Sequence, residues 1–329
     1  MAISTTSVGT TIRYTTDGST PTETNGTIYT VGMPVSISAT TTLKAVAYGI
    51  GYAISSVSEA LYIIPVDVAD IATLRAGTAG VYYRLTGVGV LSFKQTYRNQ
   101  KYIQDSTAGI LIDDLAIKIT STYNLYDGIR YIIGTVGEFG GMKQFTPVAD
   151  PGAAYSIGNT ITPQVITLSE LVANFENYES ELVKVSGVTF DTADGIITFA
   201  NGTLYPMNTA TMNFRTTFYD MDYIGTIVPT GTVDVVGIPN SRVTEGNNFT
   251  ARYLSDFEAT GGLEIPVVAI TEASGTITLT WDAVAGATSY RIEHSDNPYA
   301  GYTTLTTTAN LTYQVPAGAR KWFKVFAVQ

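Results

Sequence analysis

Through most of the chain, short runs of alternating apolar and polar residues are punctuated by clusters of Gly, Asn, Asp, Ser and Pro, the pattern of half-buried strands joined by turns. Near the N-terminus the alternation predicts strands at 11–15, 35–39, 42–48 and 61–64. The segment 66–75 (VDVADIATLR) predicts a short helix and 82–93 a long strand. The stretch 93–112, FKQTYRNQKYIQDSTAGILI, reads as two strands joined through a polar, partly basic loop, with a tight turn at 105–109. Its alternation carries Ile103, Ile110 and Ile112 toward a core. Asp105, Ser106 and Thr107 offer short side chains that bond nearby backbone, and Gly109 permits positive φ. Toward the C-terminus, strands are predicted at 267–271, 276–281, 289–294, 303–307, 312–315 and 322–328. No long helical periodicity interrupts this series, so the fold class is all-β.

The middle of the chain repeats itself. Residues 168–190 return to a short helix followed by a strand, and GIRYIIGTVGEFGG at 128–141 is echoed by GTVDVVGIPNSRVTEG at 231–246. A period of about 100 residues is too long for a solenoid. It divides the chain into 1–64, 66–172, 173–260 and 263–329, with Gly261-Gly262 as a linker signal. Asp194-Gly195 and Asn201-Gly202 are the hairpin signals of the second repeat.

Four resemblances attach to these segments. The strings YTTDGSTPT and TTTLKAVAY in residues 1–64 resemble the chitobiase/β-hexosaminidase C-terminal type of immunoglobulin-like domain. In that family a further strand precedes the one read here at 2–6, which leaves an open sheet edge. YIQDSTAGILI, followed by LYDGIRYIIGTVGEFGGMKQFTPV, resembles the OB-fold domains of secreted bacterial nucleases and of large surface proteins of Bacteroidetes-like bacteria. The likeness implies a small Greek-key barrel of a kind that can bind oligomers, and it does not imply catalysis. Residues 173–260 resemble the same barrel more weakly. TLTWDAVAGATSYRIEHSDNPYAGY resembles a fibronectin type III domain, with Trp281 and Tyr290 as its core aromatics. There 322–328 stands as the sixth strand, and no seventh follows.

Composition narrows the chemistry. With 45% hydrophobic and only 14% charged residues, the surface must be rich in Thr, Ser and Asn, and 22 tyrosines add to the β character. A net charge of −10 disfavours nucleic acid, whose phosphates attract Lys and Arg. The acidic excess lies mostly in the second repeat, at residues such as Glu176, Glu179, Glu181, Asp220, Asp222 and Asp234, read as a solvated surface. The absence of Cys removes disulfides, thiol nucleophiles and Cys-bound zinc. The single histidine, His294, reads as a surface residue, and Asp17 as a turn brace rather than a calcium ligand. No apolar run is long enough to span a membrane. The opening MAISTTSVGTT has no signal-peptide pattern, so the sequence reads either as cytosolic or as a processed or excised portion of a secreted protein, and the resemblances favour the second.

No phosphate loop, HExxH or GxSxG motif appears. The expectation is a non-catalytic extracellular or cell-surface protein, without cofactor or metal, serving as a structural or adhesive scaffold. It associates with itself or other surface proteins, and unpaired terminal sheet edges would join copies end to end into a filament. The alternative is a carbohydrate- or nucleic-acid-binding accessory region of a secreted enzyme. Its candidate contact surface is Lys94, Tyr97, Arg98, Lys101 and Tyr102, where rings stack on sugars or bases and cations meet anionic groups.

Overall fold

A computed structural model describes residues 1–259, 265–284, 287–318 and 321–328; the expected linker Gly261-Gly262 lies outside them. The fold is all-β, with short helices. Two compact units are present, 1–258 and 259–329.

The first sheet holds β1 (Thr11–Thr15), β2 (Thr27–Ile28), β3 (Thr41–Tyr48) and β4 (Ser58–Tyr62) in the antiparallel order β2-β1-β3-β4. Ile12, Tyr29, Val35 and Leu43 form its core. Residues 2–6 and 35–39 are not strands, contrary to the alternation. Val35 instead exchanges two backbone bonds with Met1, at 2.7 and 2.5 Å, which pins both segments locally. Asp17 braces its turn by accepting from the Ser19 N–H (3.0 Å) and hydroxyl (2.6 Å).

The second sheet contains β5 (Val66–Val68), β6 (Tyr82–Leu85), β7 (Gly89–Lys94), β8 (Lys101–Gln104), β9 (Gly109–Ile112), β10 (Gly128–Ile129), β11 (Ile132–Phe139) and β12 (Met142–Pro147), with helix α1 (Ile71–Arg75) after β5. The strand expected at 82–93 is broken into β6 and β7, because at Thr86 the chain changes neighbours. β6 lies between β5 and β11, whereas β7 lies between β10 and β8. The path β7-β8-β9-β12-β11-β6 therefore begins and ends on two halves of one line of chain, which curls the sheet into an open barrel. Ile103, Ile110 and Ile112 face its core, as their alternation predicts. The Asp105 turn also steadies α1: its carboxylate accepts from the N–H groups of Thr107 (2.7 Å) and Ile71 (2.8 Å).

The second repeat builds the same arrangement from β13 (Gln164–Thr167), α2 (Leu168–Ala173), α3 (Phe175–Tyr178), β14 (Val183–Val188), β15 (Leu204–Met207), β16 (Met212–Arg215), β17 (Val233–Arg242), β18 (Gly246–Thr250) and β19 (Phe257–Ala259). Its order is β13-β14-β17-β18-β16-β15, and a bridge between Phe190 and Met207 draws the two ends together. In both repeats a short strand runs parallel to the first barrel strand (β5 to β6, β13 to β14). The third and fifth barrel strands are also parallel (β9 to β12, β16 to β18). The second barrel begins ahead of the expected boundary at 173: β13 pairs with β14, and Leu168 and Leu171 of α2 lie in its core. Its β15–β16 turn is at 208–210, not at either Asx-Gly signal. Asn208, Thr209 and Ala210 all take positive φ there, and the Asp191 carboxylate holds the N–H groups of Thr209 and Ala210 at 2.7 and 2.5 Å. Sequence reasoning missed this turn because its brace comes from a residue distant in the chain.

The unit 259–329 is a sandwich of two three-stranded sheets. β20 (Val268–Ala273), β21 (Thr276–Trp281) and β24 (Thr312–Pro316) form one, in the order β20-β21-β24. β22 (Ser289–Ser295), β23 (Thr303–Thr308) and β25 (Trp322–Val328) form the other, in the order β23-β22-β25. Trp281 and Tyr290 pack at 5.4 Å between ring centroids, with Leu279, Ile292 and Val325 around them. His294 is half-buried near the end of β22.

The two barrels meet along an apolar seam. Phe93, Tyr102, Leu111 and Met142 of the first face Leu182, Phe218, Val236 and Ile238 of the second. A β-bulge between Leu91 and Phe93 breaks the alternation, so Leu91 stays in the barrel core while Phe93 turns outward. The Phe218 ring lies 4.1 Å from that of Phe93 and 5.5 Å from that of Tyr102. Polar bonds border this contact. Arg75 donates to the Glu179 carboxylate (3.0 Å), which also accepts from the Lys143 N–H (3.1 Å). Arg252, held by Asp256, donates to the Ser92 carbonyl at 3.0 Å. A Cβ on Gly109 would sit 2.5 Å from the Ser180 backbone, so glycine is required for this approach.

Phe218→Ala leaves a cavity between Phe93 and Tyr102 and is expected to cost roughly 3–5 kcal/mol in denaturant unfolding. A second expectation concerns Glu181, beside the seam. Burial pushes its carboxyl up to about 7, with Arg75 opposing and Asp105 adding. Between its ordinary value of 4.5 and about 7 the folded protein keeps a proton that the unfolded chain has lost. Stability from this group therefore falls as pH rises through that window. Thermal melts from pH 4 to 8 should decline less steeply for Glu181→Gln than for the parent.

Candidate functional site

The seam opens at one rim into a cleft of about 520 Å³, walled by both barrels. The first barrel supplies the loop between β7 and β8 and the β11–β12 hairpin; the second supplies residues 217–219 and the β17–β18 hairpin. The hairpins lie close together: a Cβ on Gly140, which has φ +68°, would meet the Val243 nitrogen at 2.9 Å.

The loop at 95–100 is shaped by its own charges. It folds as a 3-10 turn at Tyr97–Asn99 with Arg98 and Asn99 at φ near +50°. Arg98 grips Asp113 side-on through Nε (2.7 Å) and Nη2, and Gln100 adds a bond at 3.1 Å. Burial alone would raise the Asp113 carboxyl, but the bonds from Arg98 and Gln100 outweigh it and hold the group below its usual value. Arg98 is held above its own ordinary value by the same pair.

The five residues expected to form one contact surface are therefore divided. Tyr97 is 66% exposed and lines the cleft. Arg98 reaches the cleft wall with its charge already neutralised. Tyr102 touches the cleft but is only 2% exposed; its ring is seam core and offers no face for stacking. Burial raises its hydroxyl pKa, and Glu179 adds to this. Lys101 is buried, 3.8 Å from Asp114 and bonded to the Asn99 carbonyl at 2.9 Å, with burial lowering its ammonium pKa. Lys94 is exposed along its stem and donates to the Tyr123 carbonyl. Lys94 and Lys101 are not among the cleft walls, because alternation along β7 and β8 points them away from the seam.

Sequence reasoning missed what the second barrel contributes. Tyr219 (55% exposed) joins Tyr97 and Phe139 (69% exposed) as open rings at the cleft. Asn240 is fixed at its floor, donating to the Ile238 carbonyl (3.1 Å) and the Thr250 hydroxyl (3.0 Å). Arg242 stands 3.3 Å from Glu245 on the hairpin. One local signal was present: Phe139 directly precedes Gly140-Gly141, placing a large ring where a hairpin turn favours small residues.

The cleft thus joins open aromatic rings to amides and hydroxyls, with its cations already paired. Such a surface stacks on an uncharged ring and exchanges hydrogen bonds with it.

The fold defines an all-β modular protein. Within it, residues 1–62 match the family described as Fn3 associated. No curated protein matches the chain. Among the described residues no helix is long and apolar enough to cross a membrane.

Proposed function

We propose that this is a non-catalytic extracellular adhesion and scaffold protein that holds an oligosaccharide in the cleft between its two barrels. The observation that carries the reading is the ring of exposed aromatics drawn from both barrels, Tyr97 and Phe139 from one and Tyr219 from the other. Rigid rings with amide neighbours recognise sugars by stacking and hydrogen bonding at low entropic cost. The Fn3-associated region supports a modular, extracellular setting. The finer likenesses noted in the sequence belong to this proposal. The curled strand path and its parallel third and fifth strands support OB-type barrels. The paired three-stranded sheets around Trp281 support a fibronectin type III sandwich.

A second reading, end-to-end assembly, is favoured by one feature of the C-terminal unit. β25 pairs with β22 along one edge, and beside it runs a groove of about 380 Å³ lined by Ile265, Pro266, Val268, Phe323, Phe326 and Ala327. A strand added there would place its apolar side chains in the groove.

On a glycan array, the parent protein is expected to retain one class of neutral oligosaccharide, and Tyr97→Ala or Tyr219→Ala to weaken it by ~10-fold each, about 1.4 kcal/mol. Equal signals from all three proteins, or none from the parent, would remove the cleft reading. For assembly, light scattering at rising concentration should show oligomers that Ile265→Glu abolishes. Ile265 is 88% exposed, so this change spares the fold. A single monomeric species at every concentration counts against strand addition.

A further inference from the structure

Away from the cleft, the first barrel carries a second aromatic surface that neither the motifs nor the proposed function involve. At the entry to β11 the Arg130 guanidinium carbon lies 4.5 Å from the ring centre of Tyr131 and 4.9 Å from that of Tyr155. Arg130 is fixed in this position, because its Nε donates to the Thr86 carbonyl at 2.5 Å. Tyr131 and Tyr155 remain 47% and 58% exposed. Arg84, 6.0 Å from the Tyr131 ring centre, is bound to Asp67 through two bonds of 2.7 Å. Arg130, by contrast, makes no ion pair among the described residues. Arg13 is the other described arginine with no ion pair; it is held by the Tyr48 hydroxyl and the Gly26 carbonyl.

The backbone adds a second observation. Tyr131 sits at φ +62°, a region that favours Gly or Asn, and its N–H is tied to the Leu85 carbonyl at 2.8 Å. The ring packs against Arg130 and Arg84, yet the backbone beneath it favours a smaller residue. Strained residues of this kind cluster where a ligand is held.

We propose that the Tyr131–Arg130–Tyr155 surface binds an anionic sugar, a uronic-acid residue within an oligosaccharide. The apolar face of a pyranose stacks on a tyrosine ring, and its carboxylate meets the guanidinium through paired N–H···O bonds. An acidic peptide suits the surface less well. The N–H groups of Tyr131 and Tyr155 are already bonded to the Leu85 and Gly128 carbonyls, so no strand edge is open to a backbone. A densely sulfated chain carries more charge per sugar than a uronate and is repelled more strongly by the net charge.

The test is calorimetric titration of the full chain with oligogalacturonate, with neutral cello-oligosaccharide and with an oligo-glutamate peptide. Oligogalacturonate is expected to bind, at least tenfold more weakly to Arg130→Gln and to Tyr155→Ala and more weakly as NaCl rises, whereas any cello-oligosaccharide binding at the cleft is unchanged in both variants. Tyr131→Asn, which relieves the backbone, should melt no lower than the parent yet bind at least fivefold more weakly, separating a ligand role from a structural one. No binding of the uronate, equal binding by Arg130→Gln, or preference for the peptide overturns the proposal. Loss of uronate binding in Tyr97→Ala instead of Arg130→Gln would assign it to the cleft and overturn the proposal equally.

Discussion

The contact on which the rest of unit 1–258 depends is the burial of Phe218 between Phe93 and Tyr102. It exists because a bulge turns Phe93 out of its own barrel, and because Tyr102 and Leu111 lie on the outer faces of strands whose inner residues fill the core. Burial of aromatic surface supplies most of the free energy of such a seam. The buried ions do different work. Arg252 is costly to desolvate and is tolerated because it is bonded several times, to Asp256 and Ser92, whereas at Glu179 burial raises the carboxyl pKa even against the bonds from Lys143 and Arg75. Their directional bonds fix the register in which the two barrels meet, which an apolar surface alone leaves loose.

The character of the cleft follows from this arrangement. The loop at 95–100 must stay folded against the barrel while its neighbours enter the seam, and the Arg98–Asp113 and Lys101–Asp114 pairs keep it there. Those cations are consequently internal, and what remains facing the cleft is aromatic and amide. The reverse holds at Arg130, whose position is set by a carbonyl and two rings, leaving its charge without an internal partner. A basic residue in a sequence is thus a poor guide to an available charge until its carboxylate is located.

That distinction also explains what the sequence could and could not reveal. Alternation and turn chemistry were sufficient for the all-β class, the repeat, the core direction of Ile103, Ile110 and Ile112, and the Asp17 and Asp105 turns. These are local properties, set within a few residues. The mistakes were non-local. Strands at 2–6 and 35–39 were lost to a Met1–Val35 pairing, the 208–210 turn depends on Asp191, and the assignment of Tyr102 to a binding surface ignored the second barrel. One sign of the seam was available. Gly109–Ile112 is GILI, apolar at successive positions, and such a strand is covered on both faces.

The repeat also shows how the two barrels differ on the face that docks. Their contact is head-to-tail, a geometry that extends indefinitely unless one surface is changed. Matched strand for strand, the pairing of Tyr102 with Leu111 in the first barrel corresponds to that of Pro206 with Asn213 in the second. The strand neighbours agree: Leu111 lies beside Gln144, and Asn213 beside Asn248. Where the first barrel presents a ring and a leucine to its neighbour, the second presents a proline and an amide, both only half-buried. The inner positions, Ile112 and Phe214, remain apolar in both. The core was therefore kept and the docking face changed, so that a third barrel would have to desolvate Asn213 without gaining an aromatic contact. Two outward-facing positions are enough to distinguish the docking face of the first barrel from its counterpart in the second.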